Sequence, residues 1–324
     1  MNSPSKFTVV SLFSGCGGSS LGYQMAGGRV LLAVEWDNAA VKTYRANFPG
    51  TPIYHGDIRD LPVNECLQLS GLLSGDLDIL DGSPPCQGFS IAGQRRFDDS
   101  RNRLFVEYVR LLRGLMPKAF IMENVKGLVI GKMKVVFAEI LQALKAAGYC
   151  VRVRLLNTKW YGVPQSRPRL IFIGIRNDLE IDPTFPPPMG RPKTVREVLF
   201  GLNEHFYDGP PLTPLYHEYW KAALSNPRRI VGWWQSGDVR LKWTQVCNTM
   251  TSQSGHGRCL HPSQCRPLST PERRRFFGFP DSFWFESWRD GIQLMGNCVC
   301  PPFMQAMATH VNGLLNTVQR EIAA

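Results

Sequence analysis

The stretch of this chain richest in reactive groups is Asp81-Gly82-Ser83-Pro84-Pro85-Cys86-Gln87-Gly88-Phe89-Ser90. The apolar run Leu77-Asp78-Ile79-Leu80 ahead of it predicts a buried strand. Two consecutive prolines then restrict how the chain leaves that strand, and the carboxyl edge of a sheet is where open α/β folds gather their ligands. Gly88 and Gly93 loosen the residues beyond the thiol. A cysteine on a stiff support, next to a flexible and charged segment, suits a nucleophile under a closing loop. Most free cysteines are simply small buried hydrophobes, and the decapeptide alone leaves the reaction open.

Other strand ends carry groups that could hold a ligand. Phe7 to Leu12 is apolar and β-branched, and Ser14-Gly15-Cys16-Gly17-Gly18 comes after it and before a predicted helix, Ser19 to Ala26. Strand, glycine turn and helix let a ligand approach the backbone and the helix amino end. The next strand, Val30 to Val34, runs into Glu35-Trp36-Asp37, where an acid could hold a ribose hydroxyl pair. Asp37 is equally suited to cap the helix from Asn38 to Phe48. A third strand, Pro52 to His55, leads to Gly56-Asp57-Ile58. The glycine turn lacks the full G-x-G-x-x-G spacing and has no Lys-Ser/Thr after it, which favours a cofactor without a phosphate grip. After the helix Leu104 to Met116, the strand Lys118 to Met122 brings Glu123 to the edge expected for Cys86, as a catalytic carboxylate or a surface one.

The chain has 324 residues, 44% of them hydrophobic, enough for a substantial core and for a second, smaller domain. No apolar run approaches the length of a membrane span, and the start lacks a signal-peptide pattern. Nine cysteines without regular spacing make a disulfide framework unexpected and place the protein in the cytoplasm with reduced thiols. Residues 1–90 hold five Lys/Arg against eight Asp/Glu, yet the whole chain carries +11. The excess of basic residues therefore lies beyond residue 90, in clusters such as Arg95-Arg96, Arg167 with Arg169, Arg228-Arg229 and Arg273-Arg274-Arg275, and points to a polyanion partner. Past Pro183–Pro192, a proline-rich linker, the pattern becomes irregular and rich in tryptophan. Cys247, His256, Cys259, His261 and Cys265 lack a C-x-x-C pair, so no metal site is expected. Pro271 to Gly278 reads as a short basic helix, Asn297 as part of a turn, and Pro302 to Leu315 as a closing amphipathic helix.

Taken together in this order, these elements resemble those of the cytosine-5 DNA methyltransferases of bacterial or phage type, over nearly the whole length. Phe13-Ser14-Gly15-Cys16-Gly17-Gly18 resembles the family's S-adenosylmethionine loop, Glu35-Trp36 its ribose and adenine contacts, and Asp57-Ile58 its adenine contact. Pro85-Cys86-Gln87 is similar to the catalytic turn, Glu123-Asn124-Val125 to the second catalytic element, and Gln165, Arg167 and Arg169 to the Q-x-R-x-R element. Arg266 through Pro280 resembles the support of the recognition domain, and Gly296-Asn297 with Val299 the last cofactor element. Pro85 and Leu104 complete the cofactor set that the resemblance implies. Two departures stand out: Ser11 where many members carry Asp, and Cys298 where Ser is usual.

The resemblance implies an α/β fold: a Rossmann-like domain with a mixed, mostly parallel sheet over 1–188, completed by 291–324, and an irregular target-recognition domain over 189–290. It implies methyl transfer from S-adenosylmethionine, leaving S-adenosylhomocysteine, to a flipped-out cytosine in duplex DNA. Cys86 would add to carbon 6, because carbon 5 of cytosine becomes nucleophilic only when the ring is converted to an enamine. Glu123 would serve N3 and the exocyclic amine, Arg169 would bind O2, and Arg167 would help fix the loop and the carboxylate. Gln94, Arg95 and Arg96 are expected to fill the vacated stack or grip phosphates, and Gln253, Ser254 and Arg258 to read bases. The enzyme is expected to act as a monomer, off the membrane, with a cognate restriction endonuclease as a possible partner. Three rival functions compete: a transfer-RNA methylase, for which no Cys-Phe-Thr element occurs between 177 and 267; a catalytically silent DNA-binding module; and a Rossmann oxidoreductase, which would need phosphate contacts that the sequence lacks.

Overall fold

In a computed structural model that describes residues 6–85, 103–212, 239–252 and 259–322, the first apolar run is strand β1 (Phe7–Leu12). All of it but Thr8 is buried, as a strand covered on both faces requires. Around it lie β2 (Gly28–Glu35), β3 (Ile53–His55), β4 (Ile79–Gly82), β5 (Ala119–Val125), β6 (Tyr149–Asn157) and β8 (Pro168–Arg176), with the two-residue β7 (Gln165–Ser166) outside this sheet. The order is β3-β2-β1-β4-β5-β8-β6, parallel from β3 to β5, with β8 antiparallel to β5. The mixed, mostly parallel sheet expected from the sequence is therefore present. Strand order reverses direction between β1 and β4, and doubly wound sheets bind ligands at the carboxyl ends beside such a switch point.

The chain forms two compact units: 1–156, 168–187 and 303–324 in one, 157–167 and 188–302 in the other. In the first, helices α1 (Gly18–Met25), α2 (Asn38–Asn47), α3 (Val63–Ser70), α4 (Arg103–Leu115) and α5 (Met133–Ala146) cover the sheet. The side of α4 bearing Tyr108, Leu111, Leu112 and Leu115 is fully buried. The Phe120 ring of β5 meets Tyr108 and Tyr149 edge-on, at 6.3 and 5.4 Å. Each such side chain contributes roughly 1.5–3 kcal/mol on burial, which makes the strand ends a firm platform.

The second unit is built from short elements. Two-residue strands pair in parallel: β10 (Cys247–Asn248) with β7, and β11 (Cys259–Leu260) with β9 (Val239–Arg240). Helix α6 (Val195–Leu199) starts with a Thr194/Glu197 capping box. Helix α7 (Thr270–Phe277) has a Ser269/Glu272 box, Pro271 in its first turn and Gly278 as a left-handed cap. Helix α8 (Trp288–Asn297) is capped by Ser287, and α9 (Pro301–Ile322) runs back into the first unit.

Two expectations are corrected. Asn297 is the last residue of α8, not part of a turn, because the capped amphipathic run continues through Gly296. Residues 157–167 and 291–302, assigned by sequence to the catalytic domain, group with the second unit. The reason is visible at Arg167, whose guanidinium is bonded to carbonyls of Met250, Gly296 and Cys298.

Candidate active site

The turn after β1 is shaped by backbone conformation. Phe13 has φ +55°, a strained value for a non-glycine residue, and Gly15 and Gly17 have φ +55° and +92°. A Cβ on Gly17 would fall 2.3 Å from the Phe48 ring, whereas one on Gly15 would meet nothing within 4 Å. Gly17 is thus small because the protein packs there, and Gly15 leaves a hollow. Ser14 N–H donates to Val34 O (3.1 Å), and Cys16 and Gly18 are buried.

Glu35 ties this turn to the end of β2. Its Oε2 accepts from Gly15 N–H (2.7 Å), and its Oε1 accepts from Trp36 N–H (2.8 Å) and Asp37 N–H (2.9 Å). Burial raises its pKa, and the three backbone donors only partly offset this. Asp37 caps α2 by accepting from Ala40 N–H (2.8 Å), the alternative the sequence left open. Trp36 is 74% exposed, an indole face with little protein over it. Asp57 caps the short turn that begins at Ile58 and pairs with Arg59, whose guanidinium holds the carboxyl below its usual range. An open hollow at Gly15, an uncovered indole, carboxylates at two strand ends and no cation in the turn fit the adenosyl and methionyl parts of S-adenosylmethionine. Leu104, on α4, and Pro85, after β4, are both partly exposed.

The chemistry-bearing strands lie next to one another. Glu123 is inside β5, in register with Ile171 of β8, rather than beyond a strand ending at Met122. Its Oε1 is 2.7 Å from Nε of Arg169, with both side chains only 10–13% exposed. Arg169 also donates to Pro168 O (2.8 Å). Asn124, the next residue, is buried and donates from Nδ2 to Pro84 O (3.3 Å), two residues before Cys86 in the chain. The sequence element Glu123-Asn124-Val125 was legible, but the bracing role of Asn124 was not, since it depends on a partner 40 residues away. Cys86 lies outside the described residues, as do Gln94, Arg95, Arg96, Gln253, Ser254 and Arg258.

In the second unit, Arg167 is 2% exposed and donates to Met250 O (2.8 Å), Gly296 O (2.7 Å) and Cys298 O (3.2 Å). The expected hold on the carboxylate belongs to Arg169, and Arg167 instead gathers backbone carbonyls. Gln165 works beside it, accepting from Met250 N–H (2.9 Å) and donating to Phe276 O (3.4 Å). Asn297 is exposed and Val299 buried. Cys298, where Ser is usual, sends its thiol to Met295 O (3.1 Å), so this departure is absorbed inside the protein.

The basic run Arg273-Arg274-Arg275 does not form a free cationic face. Arg273 is 2% exposed, Arg274 donates to carbonyls of Asp281 and Phe283, and Arg275 forks onto the Asp281 carboxylate at 3.0 and 2.6 Å. These cations stabilise the fold, which removes them from the polyanion surface that their spacing suggested. Among the described residues no helix is long and apolar enough to cross a membrane.

The profile of the C-5 cytosine-specific DNA methylase family matches residues 7–312. The chain belongs to this family. It is a cytosine-5 DNA methyltransferase. It is 30% identical to the Type II methyltransferase M.XorII of Xanthomonas oryzae over 93% of its length and 84% of that protein. It is 34% identical to M1.HphI of Haemophilus parahaemolyticus, over 94% and 86%. Among solved structures, a DNA modification methyltransferase encoded within a prophage (E. coli) superposes with a TM-score of 0.77 at 27% identity, covering 96% of this chain and 99% of that one. S. pombe Dnmt2 shares the fold, with a TM-score of 0.69 at 18% identity, covering 98% and 100%. In this methyltransferase the Glu123–Arg169 pair and the Asn124 brace sit on adjoining strands of the sheet.

Proposed function

We propose that this methyltransferase modifies carbon 5 of a cytosine extruded from duplex DNA, through a transient bond between Cys86 and carbon 6 of the base. The observation that carries the reading is the 2.7 Å Glu123–Arg169 pair, beside the strand that leads into Pro84-Pro85-Cys86. A base stacked in a duplex is out of reach of buried strand ends, so the cytosine has to leave the helix.

The Cys86 thiolate adds to carbon 6, and electron density moves to carbon 5 and toward N3. Glu123 holds the proton at N3 and accepts from the exocyclic amine, which selects cytosine. Arg169, already fixed on Glu123, is assigned to O2 and keeps the carboxylate oriented. Phe13–Gly18, Glu35, Trp36, Asp57 and Ile58, with Pro85 and Leu104, would hold S-adenosylmethionine. When bound, it supplies an electrophilic methyl group on a sulfonium and leaves as S-adenosylhomocysteine. Carbon 5 then loses its hydrogen to a base such as water, the carbon 6–sulfur bond breaks, and the thiolate is restored. Overall one methyl group is gained by the base and one proton is released.

Base reading is assigned to the second unit, in the segment containing Gln253, Ser254 and Arg258, and phosphate or gap contacts to Gln94, Arg95 and Arg96. A place in a restriction–modification pair or in phage self-protection is supported by the names of the relatives, and action as a cytoplasmic monomer is part of the same proposal.

A duplex carrying 5-fluorocytosine tests the reading, since fluorine cannot leave carbon 5 as a cation and the adduct persists. Wild type should give a denaturation-resistant adduct and label DNA from methyl-tritiated cofactor. Cys86→Ala should lose at least about 10³-fold in transfer and form no adduct, while still binding duplex and S-adenosylhomocysteine. Transfer by Cys86→Ala at the wild-type rate, or labelling of transfer RNA in place of DNA, would overturn it.

A further inference from the structure

Asp81 is the next-to-last residue of β4 and is 2% exposed. Three hydroxyls from two neighbouring elements converge on it. Ser11 Oγ of β1 and Ser19 Oγ of α1 each donate to Oδ2 at 2.7 Å, and Tyr23 OH of α1 donates to Oδ1 at 3.3 Å. Ser11 and Asp81 are register partners on the two strands that flank the switch point. Ser19 is the second residue of α1, directly after the glycine turn.

Among the described residues, the titratable groups that sense this carboxylate are phenols and another acid: Tyr23 of α1, Tyr44 of α2, Tyr108 of α4 and Glu123 of β5. Burial, with a smaller push from Glu123, lifts its pKa to about 6, and the hydroxyl donors hold it down. A buried anion in such company is costly, so the position calls for a reason. Only a carboxylate has the acceptor sites to take three hydroxyl donors at once; an amide offers one oxygen. Asp81 is thus the shared anchor of a strand before the cofactor turn, the helix after it, and the strand that precedes Pro84-Pro85-Cys86.

We infer that Asp81 is a positioning residue for methyl transfer: through Ser11, Ser19 and Tyr23 it fixes the cofactor turn and the amino end of α1 against the strand that leads to Cys86. This role rests on S-adenosylmethionine binding at that turn, as proposed. The carboxylate that many family members carry at the position of Ser11 stands, in this chain, on the adjacent strand.

The test uses full-length protein and three variants: Asp81→Asn, Ser19→Ala and the transposed double variant Ser11→Asp with Asp81→Ser. Binding of S-adenosylhomocysteine is measured by calorimetry, and KM for S-adenosylmethionine and kcat on duplex DNA from initial rates, across pH 5 to 8. Asp81→Asn should weaken cofactor binding and raise KM about tenfold, with kcat within about threefold of wild type. Ser19→Ala should move the same way by a smaller factor. The transposed variant should return to within about threefold of wild type, because it restores a carboxylate between register partners. Wild-type affinity should fall as pH drops through 6 relative to Asp81→Asn, which lacks that titration. An Asp81→Asn protein with affinity and KM within twofold of wild type at every pH overturns the inference; if the transposed variant does not fold, Asp81→Asn alone decides. A wild type that binds S-adenosylhomocysteine but methylates nothing defeats the proposed function and leaves the Asp81 result standing on binding.

Discussion

Arg167 and Arg169 are two residues apart and look alike in sequence, yet their removal should fail in different ways. Arg167→Met leaves the carbonyls of Met250, Gly296 and Cys298 without their guanidinium donor and removes the cation lying 5.5 Å from the Phe277 ring centre. Each lost bond exposes a carbonyl to a penalty of about 1–3 kcal/mol. Relief of burying the guanidinium offsets part of that, so a net loss of about 3–5 kcal/mol is expected. Against a typical total of about 5–15 kcal/mol, that is a large share. Arg169→Met breaks a pair that keeps some solvent access and should cost about 1–2 kcal/mol. Its effect should fall on chemistry, with about 10²–10³-fold lower kcat. Urea unfolding monitored by tryptophan fluorescence reads this well, since among the described residues every tryptophan except Trp36 belongs to the second unit, where Arg167 sits. Arg167→Met unfolding within about 1 kcal/mol of wild type would refute the clamp. So would an Arg169→Met protein that loses more stability than Arg167→Met.

Asn124→Ala should slow methyl transfer about 10–100-fold with cofactor affinity unchanged, because it removes the Asn124 bond to the Pro84 carbonyl ahead of Cys86, the proposed nucleophile; equal rates in a single-turnover assay would count against the brace. Gly296→Ala should cost about 1–3 kcal/mol, as its Cβ would come within 2.2–2.5 Å of the Thr251–Ser252 backbone; unchanged urea midpoints would contradict that contact. Asp81 also sets a pH dependence. Its folded pKa of about 6 lies above the ordinary 3.8, so its contribution is fully favourable below pH 4 and is lost as pH rises through 6. Wild type should therefore lose about 2 kcal/mol relative to Asp81→Asn between pH 4 and pH 7, which denaturant titrations at the two pH values would detect.

Much of the first unit was readable because its strands are continuous apolar runs bounded by glycine, proline or acid, the signals that local sequence carries best. Glu35, Glu123 and the glycine turn were found by their places after such runs. What escaped depends on contacts far along the chain. Asp81 belongs to the stretch richest in reactive groups, yet its role depends on being opposite Ser11, 70 residues away. Arg167 reaches carbonyls 83 and 129 residues distant, so nothing beside it in sequence separates it from Arg169. The run Arg273 to Arg275 misled because charge spacing does not say which cations are turned inward. The two-residue strands between 239 and 260 are too short to show any period.

The close approach at Gly296 has a practical bearing on changing what this enzyme reads. The backbone of Thr251 and Ser252 occupies the room that any side chain at 296 would need, while Gln165 and Arg167 hold Met250 from the other side. The residues leading into the segment proposed to read bases are therefore part of the fixed frame. A foreign segment spliced in after Ser252 leaves that frame intact; a seam placed before Thr249 discards it.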